Sequence, residues 1–188
     1  MPAMQRRTLL AAPLCLTTAA LAQSDRAVDA LRAGGVAVLL RHARTEPGVG
    51  DPPGFRAGVC STQRNLSPEG RADAERIGRW FADQALRPAV VRSSAWCRCL
   101  DTARLAFGTV QPWAPLDSFF GDPAAEPERT RALRAGLAAL RPGAFEVWVT
   151  HMVNISALAG ESVAMGAALV LRAGTDRPEI VGRLDTGR

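Results

Sequence analysis

The hydrophobic positions of the chain form two kinds of pattern, a continuous run and a helical stripe. Residues 36–40, VAVLL, form an apolar run without polar alternation, which is typical of a strand buried on both faces. Ser67-Pro68-Glu69 is a helix start, with serine as the N-cap and proline at the first helical position. After it, apolar residues recur on one helical stripe at Ala74, Ile77, Phe81 and Ala85. The chain therefore contains both buried strands and amphipathic helices.

The same patterns alternate along the rest of the chain. Predicted strands cover residues 36–40, 88–94, 110–116, 145–150, 167–171 and 179–184, and predicted helices cover 25–34, a segment from 68, 95–107, 126–140 and a segment from 154. Pro112 and Pro115 interrupt the third strand and favour an edge position for it. This order predicts a three-layer α/β/α sandwich with a mostly parallel central sheet. We expect residues 23–188 to form a single domain.

Composition places the chain among ordinary globular proteins. Hydrophobic residues make up 47% and charged residues 22% of 188 residues, which excludes a disordered chain. The formal net charge is +5, and arginine supplies all of the positive side chains because the sequence has no lysine. The arginines are scattered and no basic run or interleaved aromatic pattern occurs, so nucleic-acid binding is not expected.

The first 22 residues have the pattern of a secretion signal. Arg6 and Arg7 form a basic region, residues 8–20 form an apolar core, and Ala20-Leu21-Ala22 is a small-x-small cleavage site. The apolar core is too short to span a bilayer. The paired arginines also partly match a twin-arginine signal. We expect a periplasmic or secreted mature protein without a stable membrane anchor.

Export changes the interpretation of the cysteines. Cys60, Cys97 and Cys99 remain after cleavage, in a compartment where disulfides persist. Cys60 is expected to pair with Cys97 or with Cys99, and the sequence leaves this choice open. No C-x-x-C spacing occurs and the two histidines are far apart, so no metal site is expected.

Three predicted strands end in reactive or anion-binding side chains. Residues 36–40 lead into Arg41-His42, residues 88–94 end in Ser93-Ser94 with Arg98 just beyond, and residues 145–150 lead into His151. Ligands of parallel α/β sheets bind beyond the carboxyl ends of the strands. Both histidines of the chain should therefore meet several arginines at one edge of the sheet.

Such a set of side chains is suited to a phosphoryl group. Guanidinium groups bind phosphate oxygens in bidentate fashion and neutralise the charge that shifts during transfer. A neutral imidazole can attack phosphorus and form a covalent intermediate. The helix that follows Ser93-Ser94 adds backbone N–H groups and a favourable dipole.

Four segments, in order, resemble the histidine phosphatase superfamily, which includes phosphoglycerate mutases and many acid phosphatases. LLRHARTE resembles the family's Arg-His-Gly signature, and NLSPEGRADAERIG resembles the helix after it. RSSAWCRCLDTARLAFG resembles the Ser-Ser-x-x-x-Arg-x-x-x-Thr-Ala segment, and VTHMVNISALAG resembles the segment of the second histidine. The matches span residues 36–160 and imply a phosphoglycerate mutase-like fold.

The resemblance implies a role for each matching residue. His42 would be the nucleophile, Arg41 and Arg98 would hold the phosphate oxygens, and His151 would stabilise the transferring group. Arg92 is expected only to border the pocket. Arg44 occupies a position that varies in the family, and it is expected either to contact the substrate or to be an exposed surface residue.

The proton donor for the leaving oxygen is predicted to be Asp117, because the family usually places an acid shortly after the third strand. Asp122 and Glu126 lie further along as alternatives. Ala43 departs from the family pattern, since it replaces the usual glycine after the histidine. The asparagine often found a few residues later is also missing.

The predicted function is metal-independent hydrolysis of phosphate monoesters by an exported enzyme through a phosphohistidine, with no cofactor and a small phosphorylated molecule as substrate. Alternatives are a phosphoglycerate mutase-like activity, a phosphohistidine-protein phosphatase, and a non-catalytic phosphate-binding module. The absence of a cap-sized insertion predicts an open and shallow pocket. The sequence leaves the particular substrate and the oligomeric state open.

Overall fold

The computed structural model describes residues 16–185 of the chain, with side chains from residue 25 onwards. The helices are α1 (Leu16–Ala33), α2 (Pro68–Asp83), α3 (Cys97–Phe107), α4 (Glu126–Ala138) and α5 (Met152–Ala159). The strands are β1 (Val36–Arg41), β2 (Val90–Ser93), β3 (Gln111–Pro112), β4 (Phe145–Thr150), β5 (Ala168–Arg172) and β6 (Glu179–Leu184).

The six strands form one mixed sheet in the order β3-β2-β4-β1-β5-β6. β1 and β2 both pair with β4 in parallel, and β3 pairs with β2 in parallel. β5 is antiparallel to both β1 and β6. The prediction of a mostly parallel sheet with the proline-containing strand at an edge is confirmed.

Helices cover both faces of this sheet. On one face, α1, α2 and α3 bury apolar side chains such as Leu31, Ile77 and Ala103 against β1, β4 and β5. On the other face, α4 and α5 bury Leu133 and Ile155 in a second cluster. The side chains of β1 alternate between the two clusters, and all of its residues except Arg41 are buried. The predicted three-layer sandwich is confirmed, with β1 and β4 in its centre.

The N-terminus of helix α2 packs closely against the segment that follows β1. The Ser67 hydroxyl accepts a hydrogen bond from the Gly70 amide, which confirms the predicted N-cap. A Cβ atom at Gly70 would lie 1.8 Å from the Arg44 carbonyl oxygen, so only glycine permits this approach. The predicted stripe holds for Ala74, Ile77 and Phe81, which are buried. Ala85 lies beyond the helix, exposed and with a positive φ of 54°, so its inclusion in the stripe was wrong.

Several element boundaries differ from the prediction. α1 begins at Leu16 rather than at residue 25, and α5 begins at Met152 rather than near Asn154. β3 is only two residues long, because Pro115 falls in a short 3₁₀ turn, Ala114–Leu116, that replaces the rest of the predicted strand. Most of the predicted signal peptide, residues 1–22, lies outside the described residues. Among the helices described, none has the length and hydropathy needed to cross a bilayer.

The loop between β1 and α2 is tied to the start of α3 by a disulfide. Cys60 pairs with Cys97, which resolves the alternative left open by the sequence. Cys99, two residues further along α3, is buried and free. The amide side chain of Gln63 reinforces the connection, since its Oε1 accepts a hydrogen bond from the Cys97 amide at 3.0 Å.

Replacing both Cys60 and Cys97 by serine should lower the free energy of unfolding by about 2–4 kcal/mol, because the crosslink no longer restricts the unfolded chain. Urea unfolding of the oxidised wild type and the double variant measures the difference. Dithiothreitol should destabilise the wild type and leave the variant unchanged. Equal stability of the two oxidised proteins would contradict a structural role for this disulfide.

Candidate active site

The two histidines lie side by side at the carboxyl edge of the sheet. The parallel register pairs Arg41 with Thr150, so the next residues, His42 and His151, are at the same level. Their ring centroids are 5.5 Å apart, and only 3% and 4% of their surfaces are exposed. The structure thus brings together the two residues that the sequence analysis placed in one pocket.

Hydrogen bonding determines which nitrogen of His42 is free. Its Nδ1 lies 2.9 Å from the Ala43 carbonyl oxygen, which can only accept, so Nδ1 carries the proton. Nε2 is then left with a lone pair. Burial, together with the positive charges of Arg98 and Arg41, lowers the pKa of His42 to about 3. The hydrogen bond to the Ala43 carbonyl raises the pKa, but this effect is smaller than that of burial. His42 is therefore an uncharged imidazole at neutral pH.

His151 is held in the opposite tautomer. An amino group of Arg98 can only donate, and it lies 3.4 Å from His151 Nδ1. Nε2 therefore carries the proton and donates to the Ser94 hydroxyl at 2.9 Å, which itself donates to Asp117 Oδ1 at 3.1 Å. Burial lowers the pKa of His151 well below its ordinary value, and the neighbouring His42 and arginines lower it further.

Three guanidinium groups surround the histidines. Arg41 donates to the Val163 carbonyl at 2.9 Å, and Arg98 lies almost fully buried between Asp51 and His151. The third is Arg64, which contacts the Gly50 carbonyl. The buried Nε atoms of Arg41 and Arg98 have no hydrogen-bond partner. Both arginines predicted to bind phosphate line the pocket.

Asp51 and Arg64 belong to the site, although neither was among the candidate residues predicted from the sequence. The Asp51 carboxylate accepts from Arg98 at 2.7 Å and from the indole of Trp96 at 2.9 Å. Burial opposes its ionisation, but the hydrogen bond from Arg98 and the one from the Arg64 amide lower its pKa below the ordinary value. The one signal for a binding role in the sequence is that Asp51 and Arg64 are charged residues within a glycine- and proline-rich stretch.

Ala43 fits where the resemblance predicts glycine. Its side chain is fully buried against Leu66 and Ala74, and its amide donates to the Thr102 hydroxyl at 3.0 Å. Among the described residues, positive φ outside glycine occurs only at Ala85, so the backbone at Ala43 has no need of glycine. The methyl group is part of the contact between this segment and α2.

The three candidate proton donors occupy different places. Asp117 lies behind Ser94, and its Oδ1 also accepts from the Ala95 amide at 2.7 Å. Its side chain does not line the cavity, whereas Asp122 does. Glu126 is at the first residue of α4, away from the cavity lining.

The remaining charged candidates point away from the cavity. Arg92 pairs with Glu146 at 2.8 Å and lies over the Trp113 ring at 4.9 Å, so it does not line the cavity. Arg44 pairs with the buried Asp73 of α2 and is itself exposed. The structure does not bring either residue to the two histidines.

A cavity of about 670 Å³ opens above the histidines. Its lining includes Asp51 and Arg64 from the loop after β1, and Ser118, Phe120 and Asp122 from the segment before α4. Cys99 lies 3.5 Å from His151 Nε2, and burial raises the pKa of its thiol to about 12, so it stays protonated. Within the described part of the chain, no group of three or more His, Cys, Asp or Glu side chains could hold a metal ion.

The comparisons with known proteins agree with this geometry. Residues 37–119 match the sequence model of the histidine phosphatase superfamily (branch 1). No curated protein matches the chain. Solved structures of proteins from several organisms share its fold at low sequence identity.

A candidate phosphohistidine phosphatase from Agrobacterium tumefaciens is 24% identical, with a TM-score of 0.55 over 79% of this chain and 97% of its own. The Rv3214 protein of Mycobacterium tuberculosis is 18% identical, with a TM-score of 0.59 over 81% and 98%. A mutant phosphoserine phosphatase from Entamoeba histolytica, in complex with phosphoserine, is 14% identical, with a TM-score of 0.56 over 80% and 97%. These structures support the fold assignment.

The burial of neutral His42 should make folding sensitive to acid. Its pKa is about 3 in the folded protein and 6.5 ordinarily, so between these values the unfolded chain binds a proton that the folded protein does not. The free energy of unfolding therefore falls as the pH drops below about 6.5. At pH 4.5 the loss due to His42 should be about 2–3 kcal/mol.

A His42→Gln variant lacks this group, so it should lose about 2–3 kcal/mol less than the wild type between pH 7.5 and pH 4.5. Urea unfolding at both pH values measures the two losses. Equal losses in the two proteins would show that His42 is not held in its neutral form.

Proposed function

We propose that this member of the histidine phosphatase superfamily hydrolyses phosphate monoesters through a phosphohistidine on His42. The observation that carries the proposal is the state of His42. Its imidazole is neutral and protonated on Nδ1, which leaves the Nε2 lone pair free, and the residue lines a cavity together with Arg41, Arg64 and Arg98. A nucleophile and an anion-binding site coincide there, as phosphoryl transfer requires.

The first step of the proposed reaction forms a bond from His42 Nε2 to phosphorus and breaks the bond from phosphorus to the ester oxygen. The leaving oxygen takes a proton from the carboxyl group of the donor, which is predicted to be Asp117, and departs as an alcohol. In the second step, water attacks phosphorus and gives a proton to the same carboxylate, the bond to Nε2 breaks, and inorganic phosphate leaves. The Nδ1 hydrogen bond to the Ala43 carbonyl keeps the ring oriented in both steps.

The arginines and His151 would stabilise the transferring group. Guanidinium groups bind phosphate oxygens without losing a proton, so Arg41 and Arg98 can neutralise the charge of the group throughout the transfer. His151 is neutral in the unliganded site, with Nδ1 beside Arg98. A phosphate dianion next to Nδ1 would favour its protonation and make His151 a donor to an equatorial oxygen.

We further propose that residues 23–188 act as one domain outside the bacterial cytoplasm, after removal of a signal peptide. The order of basic region, apolar core and cleavage site in residues 1–22 supports this. Export disfavours a mutase, whose glycolytic substrates are cytoplasmic. A phosphohistidine-protein phosphatase is a second candidate, because the similar structure from Agrobacterium tumefaciens is of a candidate phosphohistidine phosphatase.

Replacing His42 by alanine should reduce kcat/KM for an aryl phosphate by at least about a thousandfold, because the nucleophile is removed. Arg92→Ala is the matched control, since Arg92 contacts Glu146 and Trp113 outside the cavity. It should keep kcat/KM within about threefold of the wild type. Activity that survives in the His42→Ala variant would exclude the proposed mechanism and leave a phosphate-binding module or another nucleophile.

Asp117 stays the predicted proton donor, and a comparison of leaving groups tests this role. A donor at Asp117 predicts that Asp117→Asn lowers kcat on an alkyl phosphate by about a hundredfold and has little effect on 4-nitrophenyl phosphate, whose leaving group needs no proton. Asp122→Asn tests the alternative donor, because Asp122 lines the cavity: a donor there would give the selective loss on the alkyl phosphate in this variant instead. Equal losses on both esters would instead mean that Asp117 positions Ser94 and His151, to which it is linked by hydrogen bonds.

A further inference from the structure

The exposed hydrophobic side chains of the protein are concentrated at one place. Within the described residues, five large hydrophobic side chains are exposed: Val49, Phe55, Val59, Phe120 and Met152. All of them except Val59 line the cavity above the histidines. Single exposed hydrophobics are normal on a protein surface, but a cluster around a cavity marks a binding site for an apolar group.

These side chains form the outer part of the cavity, whereas the cationic groups form its floor. His42, His151 and Arg98 are almost fully buried, but Val49 is 87% and Phe120 is 60% exposed. A Cβ atom at Gly50 would lie 3.6 Å from the Phe120 ring, so the two loops approach each other across the opening. We name Val49, Phe55, Phe120 and Met152 the apolar rim.

Two aromatic rings extend the apolar surface towards the floor. The Phe55 and Trp96 rings are 5.8 Å apart, and Trp96 in turn lies 5.6 Å from His151. The indole N–H of Trp96 is bound to Asp51, so the indole meets the cavity without a free donor. An apolar path therefore runs from the rim to the reacting centre.

The polar side chains that line the cavity near the rim are Ser118, Asp122 and Arg129. Arg129 donates to two backbone carbonyls, and the Ser118 hydroxyl accepts from the Phe120 amide. Asp51 is occupied by Arg98. The four side chains of the apolar rim offer no hydrogen bond, so a sugar or polyol placed against them would lose water without gaining matching hydrogen bonds, which costs affinity.

We infer that the substrate is a soluble phosphate monoester of an apolar alcohol, aliphatic or aromatic, with its phosphate on the cationic floor and its carbon skeleton against the apolar rim. This inference rests on the proposed function and narrows its substrate class. The positive charge of the cavity floor binds the phosphate of the substrate. The apolar rim of the same cavity binds its carbon skeleton.

Binding of non-hydrolysable alkylphosphonates to the wild-type protein tests the inference without turnover. Calorimetry should show that the Kd falls by about two- to fourfold for each methylene added from methyl- to hexylphosphonate, as expected for burial of methylene groups. Butylphosphonate should bind more tightly than 3,4-dihydroxybutylphosphonate, which has the same chain length and two hydroxyl groups.

Variants show whether the apolar rim causes this dependence. Phe120→Ser and Val49→Ser change exposed side chains and should each weaken hexylphosphonate binding several-fold while leaving methylphosphonate binding unchanged. Val59→Ser is the control, because Val59 is exposed on the same loop as Val49 but does not line the cavity. It should bind the whole series like the wild type.

Two different failures can be told apart. A Kd independent of chain length, or tighter binding of the dihydroxy compound, would overturn the apolar specificity and leave the phosphatase proposal standing. Absence of binding for inorganic phosphate and for every phosphonate would overturn the proposed function, and the inference with it.

Discussion

A single hydrogen bond between neighbouring strand ends sets the geometry of the site. The His42 amide donates to the Thr150 carbonyl at 3.0 Å and so continues the parallel β1–β4 ladder one residue past the end of β1. Because the two strands are buried at the centre of the sheet, their ends cannot shift relative to each other without breaking the core. His42 and His151 are therefore held at a fixed separation by the fold itself, and the loops need only supply the surrounding charge.

The surroundings of the histidines hold each ring in one tautomer and in its neutral form. A carbonyl acceptor at His42 and a guanidinium donor at His151 place the ring protons on opposite nitrogens. Burial and nearby arginines disfavour a second proton on either ring. The same positive charges that keep the nucleophile unprotonated attract a phosphate, so one arrangement serves both binding and reactivity.

Much of this could be predicted from the sequence, because regular patterns determine the elements involved. Apolar runs located the central strands, and the polar residues at their ends indicated His42, His151, Arg41 and Arg98. Asp51 and Arg64 were missed since their loop has no periodicity, and its path depends on the Cys60–Cys97 disulfide, which sequence spacing could not distinguish from pairing with Cys99. Ala43 departs from the family pattern, which has glycine at this position. Its φ is not positive, so the backbone there accommodates alanine without strain.

The central claim is that His42 carries the phosphoryl group, and the phosphorylated enzyme tests it most directly. Wild-type protein mixed with a radiolabelled phosphate monoester, quenched in alkali during turnover and digested, should give one labelled peptide with the phosphate on His42. Phosphohistidine is labile in acid and stable in alkali, so the label should disappear on mild acidification and should be absent from the His42→Ala variant. A label on another residue, or one that survives acid, would contradict the account.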